Sequence, residues 1–289
     1  MNVVVPGLVG LSPVLAFLAA LVWLDSYKLV SLRAVLVAVG LGFVAALAGY
    51  AINGVALNAL DIEMATFARY VAPVVEETLK AAIVVALIRS DRVGFLVDAA
   101  IIGFAVGAGF AIVENLHYQR LAPEASLGTW IVRGFGTAIM HGGATAIFAM
   151  LGLGLLERGG RVRPWAILPG LALAVVLHSA FNHFFLSPKL STLGIAVVVP
   201  LALYAVFQFS EKAVGNWLGK GFDADTEMLG LINSGRLSDS PVGRYLHTLK
   251  DRFEGPVVAD VLCYLRLYTE LALRAKGILI MRENGFEVP

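Results

Sequence analysis

Apolar residues gather in seven long runs along the first 210 positions, separated by short polar stretches. A helix needs about 20 mostly apolar residues to cross the hydrocarbon core of a bilayer. The runs at 7–24, 34–53, 71–88, 95–116, 129–156, 164–186 and 191–209 meet that requirement, so the pattern predicts about seven transmembrane helices. The connectors at 25–33, 58–69, 89–92, 119–128, 157–164 and 187–189 carry the breakers and charges expected between spans. No Lys or Arg precedes the first run, whereas a secretory signal needs a basic leader, so that run reads as a retained helix. After residue 210 the pattern changes to shorter amphipathic stretches. Leu229, Leu231 and Ile232 are expected to open a first tail helix. Tyr245, Leu246, Leu249 and Phe253 fall at helical spacing in a second, and 257–276 form a third that is apolar on more than one face.

Composition explains why the runs cannot belong to a water-soluble core. Of 289 residues 58% are hydrophobic and 15% charged, with a mean hydropathy of +0.81. Typical soluble domains hold roughly 45–50% apolar and 25% charged residues. The charges are also uneven: 22 lie in residues 1–210 and 21 in the last 79. The fold class is therefore an all-α polytopic membrane bundle (1–210) followed by a small helical domain (211–289). A net charge of +1 offers nothing to nucleic acid. The single cysteine, Cys263, excludes an intrachain disulfide and a cysteine-based zinc site.

Loop cations set the expected direction of insertion. Lys28, Arg33, Arg89, Arg92, Arg158, Arg161, Arg163, Lys212 and Lys220 fall on one side; Arg69, Arg120 and Lys189, with Arg133 at a helix border, fall on the other. The expectation is an N-terminus outside and a cytoplasmic C-terminal domain.

Against this background a few residues stand out inside the spans, because an ionisable side chain at a helix centre costs roughly 2.5–3.5 kcal/mol on insertion scales. The third span holds Glu76, Glu77 and Lys80 just after Pro73; the fourth holds Phe110, Glu114 and Asn115; the fifth His141; the sixth His178, Asn182 and His183. Counting about 1.5 Å per residue along helices that alternate in direction, most of them fall in one layer of the outer half of the membrane. Glu76 and Lys80 share a face at i,i+4, as do His178 and Asn182, while Glu76 and Glu77 diverge by about 100°. The fourth span also repeats Ala99, Gly103, Gly107 and Ala111, a smooth face for close helix packing. Three residues have simpler readings: Asn115 as a helix cap, His183 as interfacial, and Asp98 as facing interfacial water or Arg92.

Clustered carboxyl groups cannot all ionise cheaply in a low dielectric, which suits a base that activates water and returns the proton. Histidine and amide donors suit a developing oxyanion. The set points to hydrolysis of an acyl or peptide bond within the membrane. If zinc takes part, Glu76, Glu114, His141 and His178 are its expected ligands; a metal-free mechanism is the favoured expectation, with no other cofactor. Two other classes remain open: an ion- or proton-coupled carrier using the same charges as a path, and a zinc-dependent hydrolase acting on lipid. A carrier's site belongs near the midplane in repeated halves, and no internal repeat is evident.

The order Glu76-Glu77-x-x-Lys80, Phe110-x-x-x-Glu114-Asn115, His141 and His178-x-x-x-Asn182 on consecutive spans resembles the PrsW-type intramembrane proteases, in the superfamily of the CAAX prenyl endopeptidases and bacteriocin-processing membrane proteases. The resemblance covers about residues 70–185. It implies an endopeptidase in a prokaryotic plasma membrane that cuts a membrane-anchored protein near the outer leaflet. Glu76 would be the water-activating base with Glu77 beside it, His178 and Asn182 would form the oxyanion site, and Lys80, Glu114 and His141 would complete the centre. Glu114 and Lys80 depart from the histidine and arginine of the prenyl endopeptidases. The tail carries no motif. It is expected to be either a regulatory or dimerising module, giving a homodimer, or a plain helical appendage.

Overall fold

The computed structural model describes residues 4–90, 93–156 and 164–286, and among these every regular element is helical. Helices α1 (Val4–Leu24) and α2 (Leu32–Leu60) come first; Ser31 caps α2 by accepting from the Ala34 amide. A short turn (Met64–Thr66) and a wide π segment (Phe67–Val71) lead into α3 (Ala72–Arg89), whose first turn contains Pro73. Next is α4 (Leu96–Leu121). Helix α5 (Ala138–Leu156) is likewise entered through one helical turn (Leu127–Ile131) and a π segment (Val132–Thr137). The series ends with α6 (Leu168–His183), α7 (Pro188–Asn233), α8 (Pro241–Leu249) and α9 (Gly255–Glu283).

Among the described residues six helices are long and apolar enough to cross a membrane: α1, α2, α4, α5 with its lead-in, α6 and α7. The expected count of seven included α3, but that helix has only 18 residues and spends four of them on Glu76, Glu77, Lys80 and Arg89. Three borders also move. The α4 helix continues to Leu121, so Asn115 lies inside it and caps nothing. Asp98 accepts from the Gly94 and Phe95 amides and closes the start of the same helix. The α7 helix does not stop at 209: it runs through Pro200 and its own glycines to Asn233, and ends at Gly235, whose φ of +71° lets Arg236 N–H reach back to the Leu231 carbonyl. Leu229, Leu231 and Ile232 therefore end α7 rather than open a separate helix. Arg92, Arg158, Arg161 and Arg163, four of the nine cations behind the expected orientation, lie outside the described residues.

The chain divides into two compact units, one built on residues up to Asp25 and Leu29–Ser210, the other on Ser26–Lys28 and residues from Glu211 onward. In the first, α4 is the axis: every residue from Val97 to Ile112 is buried, as a helix apolar all round requires. Its small residues let neighbours close in. Gly103 faces Thr145 and Ala146 of α5, and a Cβ on Gly107 would overlap the His141 carbonyl. Gly109 abuts the Val39 backbone of α2 on another side. The small-residue face read in the sequence is thus the seat of α5, and it brings the helix of Glu114 against the helix of His141. Gly107→Ala is expected to lower stability by about 1–3 kcal/mol, as over-packing does. Gly54→Ala, where nothing lies within 4 Å, should be neutral or stabilising. Thermal unfolding of the detergent-solubilised protein compares the two.

In the second unit, Tyr27 is buried near Gly215, and its hydroxyl is pushed up to about 12 by that burial and by the neighbouring Glu283 carboxylate. Lys276 pairs with Asp225 at 2.7 Å, joining α9 to α7.

Candidate active site

The site is built where α3, α4, α5 and α6 meet. The π segment before α3 presents the Ala68 and Arg69 carbonyls to α6, and Asn182 (2.9 Å) and Ser179 (2.6 Å) donate to them. These two bonds tie the end of α6 to the entry of α3. One turn earlier on α6, His178 is then set against Glu77, with Nδ1 2.8 Å from Oε1.

Glu77 and Lys80 form the buried centre, with Nζ to Oε1 at 2.6 Å. The pairing is i,i+3, not the i,i+4 pair of Glu76 and Lys80 that spacing suggested. Lys80 has no exposed surface and also donates to His141 Nδ1 at 2.9 Å, with the Phe110 ring 4.6 Å from the ammonium. Since an ammonium can only donate, His141 Nδ1 accepts, and its Nε2 carries the hydrogen facing Glu114 Oε2 at 3.0 Å. Glu114 in turn pairs with Arg133 at 3.2 Å. A single chain of contacts therefore runs from His178 through Glu77, Lys80, His141 and Glu114 to Arg133.

Glu76 stands apart from that chain. Asn53 of α2 donates to its Oε1 at 3.0 Å, and its Oε2 lies 3.9 Å from His178 Nε2. A carboxylate cannot donate to His178 Nδ1, so that nitrogen carries the hydrogen toward Glu77 and leaves a lone pair on Nε2 pointing at Glu76. Access separates the two glutamates: 13% of the Glu76 side chain is exposed against 1% for Glu77. Glu114 is 23% exposed but is already committed to Arg133 and His141.

Five of the seven expected residues are joined by these contacts, and Glu76 lies at their edge, 3.9 Å from His178. Asn182 is the exception: its amide serves the Ala68 carbonyl, so its first role is to hold α6 in place. His183 bonds the Ser179 carbonyl and stays outside the cluster. Sequence reasoning passed over two contributors. Arg133 was counted only as a border charge, yet the π segment carrying it turns the guanidinium inward, onto Glu114, onto Asn115 Oδ1 (2.9 Å) and over the Tyr118 ring (3.7 Å). Asn115 then bonds the Gly10 carbonyl of α1 at 2.8 Å. Asn53 lies in a long apolar run; a lone amide there was the signal available.

Glu76, His141 and His178 each offer a ligand atom within 4.8 Å of the others. Two histidines and a carboxylate are a familiar zinc donor set, and the Glu77–His178 bond is the kind of contact that orients a histidine ligand. His178 and Glu76 fit that use as they stand. His141 fits once Lys80 releases Nδ1 to the ion, with Nε2–H kept on Glu114.

Apolar helices long enough to cross a membrane enclose a buried carboxylate–histidine–lysine cluster, the makings of an integral membrane protein with an internal polar site. The family model described as "PrsW family intramembrane metalloprotease" matches residues 30–208, more than half of the sequence and a range that contains all seven site positions. The chain belongs to the PrsW family, an intramembrane protease family, as its motifs suggested. No curated protein and no solved structure matches it.

Proposed function

We propose that this chain hydrolyses a peptide bond of a membrane-anchored protein, near the outer leaflet, with Glu76 as the water-activating base. The observation that carries this reading is the 3.9 Å gap between Glu76 Oε2 and His178 Nε2 at the exposed edge of the cluster. The gap is too wide for a direct hydrogen bond, and a water about 2.8 Å from both atoms can sit at its apex. Glu76 takes a proton from that water as the oxygen adds to the substrate carbonyl, then returns it to the leaving amine when the carbon–nitrogen bond breaks. The Nε2 lone pair of His178 accepts the water's second hydrogen and orients it, and the second amide hydrogen of Asn182 is the donor for the oxyanion. Glu77 and Lys80 hold His178 and His141 in register, and the Glu114–Arg133 pair closes the far side. In this reading α3 also crosses the bilayer as a seventh span, its charges enclosed by neighbours. The N-terminus is outside and the C-terminal domain faces the cytoplasm of a prokaryotic cell.

The second reading keeps the substrate and adds zinc, held by Glu76, His141 and His178 and favoured by the proximity of their donor atoms. Bound there, zinc would polarise the carbonyl and acidify the water. The test is cleavage of single-span substrates by purified protein, with and without chelator. The metal-free reading expects turnover to survive chelation; loss restored by zinc alone overturns it. Digestion of the tail by protease added outside intact cells overturns the orientation.

A further inference from the structure

Helix α9 carries an apolar seam that its own unit does not cover. Val257, Val261, Tyr264, Tyr268, Leu271 and Ile278, with Ala275 completing the register, recur in alternating steps of four and three residues. All are exposed, Tyr264 by 70% and Leu271 by 65%. The face used inside the unit is a different one: Val258 and Thr269 are buried, and Lys276 reaches Asp225. Alternating steps of three and four over three heptads, about 30 Å of helix, are the spacing by which one helix packs along another.

The flank of the seam indicates which helix. At the positions bordering it on the solvent side stand Asp260, Leu267 and Arg274, all exposed. Among the described residues no ion pair engages Asp260 or Arg274. Leu267 lies midway between them in sequence. A two-fold axis through Leu267 in an antiparallel pair of α9 helices sets each Asp260 opposite the partner's Arg274. It also brings Tyr264 within two residues, about 3 Å, of level with the partner's Tyr268, and Val261 likewise with the partner's Leu271. In a parallel pair Asp260 would meet Asp260, and Arg274 would meet Arg274. We propose that α9 is a homodimerisation helix that pairs antiparallel with α9 of a second copy of this chain, centred on Leu267. The surface lies outside the family-matched residues, so the proposal stands independently of the catalytic reading.

Single cysteines introduced into the full-length Cys263→Ser protein, treated in native membranes with a short bismaleimide, test it. Leu267→Cys should yield a cross-linked dimer well above that from Arg266→Cys, on the opposite face. Leu271→Cys should link poorly to itself but efficiently to a differently tagged chain bearing Val261→Cys. In Leu267→Cys, adding Asp260→Arg should remove most of the dimer, and adding Arg274→Asp to that variant should restore it. Equal yields at 267 and 266 overturn the interface. Self-linking at both 264 and 271 without 267 overturns the antiparallel arrangement, and failure of the charge swap to restore overturns the pairing of Asp260 with Arg274.

Discussion

Glu76→Gln lowers the rate of peptide cleavage by about 10²–10⁴-fold, the range a positioned general base supplies, while leaving the protein folded. The expectation of intact folding comes from the contacts: a glutamine oxygen still accepts from Asn53, and the Glu77–Lys80–His141 core does not touch the substitution. What disappears is the partly exposed carboxylate that faces the His178 lone pair. Glu77→Gln acts differently. It takes the charge from a group that accepts from both Lys80 and His178, so stability and activity fall together. Turnover of a single-span substrate, measured beside a thermal melt of each variant, separates the two. Near-wild-type turnover by Glu76→Gln removes Glu76 from the mechanism. Metal content measured on the same samples distinguishes a lost base from a lost ligand: with the metal-free mechanism it is unchanged.

Much of this arrangement was legible before any coordinates, for a physical reason. A bilayer makes ionisable side chains costly, so those retained in apolar helices mark themselves. Glu76, Glu77, Lys80, Glu114, His141 and His178 were found that way, and counting depth along alternating helices placed them in one layer. Depth alone says nothing about rotation about each helix axis. The i,i+4 rule therefore matched Lys80 with Glu76, while packing against α5 and α6 turned Glu77 inward and Glu76 toward α2. The contacts of Arg133 and Asn182 were not legible for a related reason. Both depend on π segments, at 132–137 and 67–71, which no 3.6-residue periodicity reveals. One redirects a guanidinium into the site; the other presents the carbonyl that occupies an amide expected to face substrate. The length of α7 escaped because the end of an apolar run marks where lipid contact stops, and a helix continues until something such as Gly235 ends it.

Lys80→Met should be the most destabilising single change in the bundle, by about 3–5 kcal/mol, the range for breaking a buried ion pair by removing one partner. The ammonium is fully buried and supplies hydrogen bonds to Glu77 and His141 at once. Without it the Glu77 carboxylate keeps only imidazoles near it, His178 Nδ1 at 2.8 Å and His141 Nδ1 at 3.9 Å. Methionine fills much of the same volume, so an empty cavity contributes little and the loss reports the stranded charge. The double variant Lys80→Met/Glu77→Gln removes that charge and should recover most of the stability, since replacing both members of a buried pair can be nearly neutral. It should not recover activity, because His178 loses the carboxylate that fixes its tautomer and His141 loses the donor at Nδ1. Denaturant or thermal unfolding in detergent, run on the four members of this cycle, measures the coupling. A single Lys80→Met variant within about 1 kcal/mol of the parent, the scale of an exposed pair, would mean that water reaches Glu77 and that the centre is not the sealed ion pair described above.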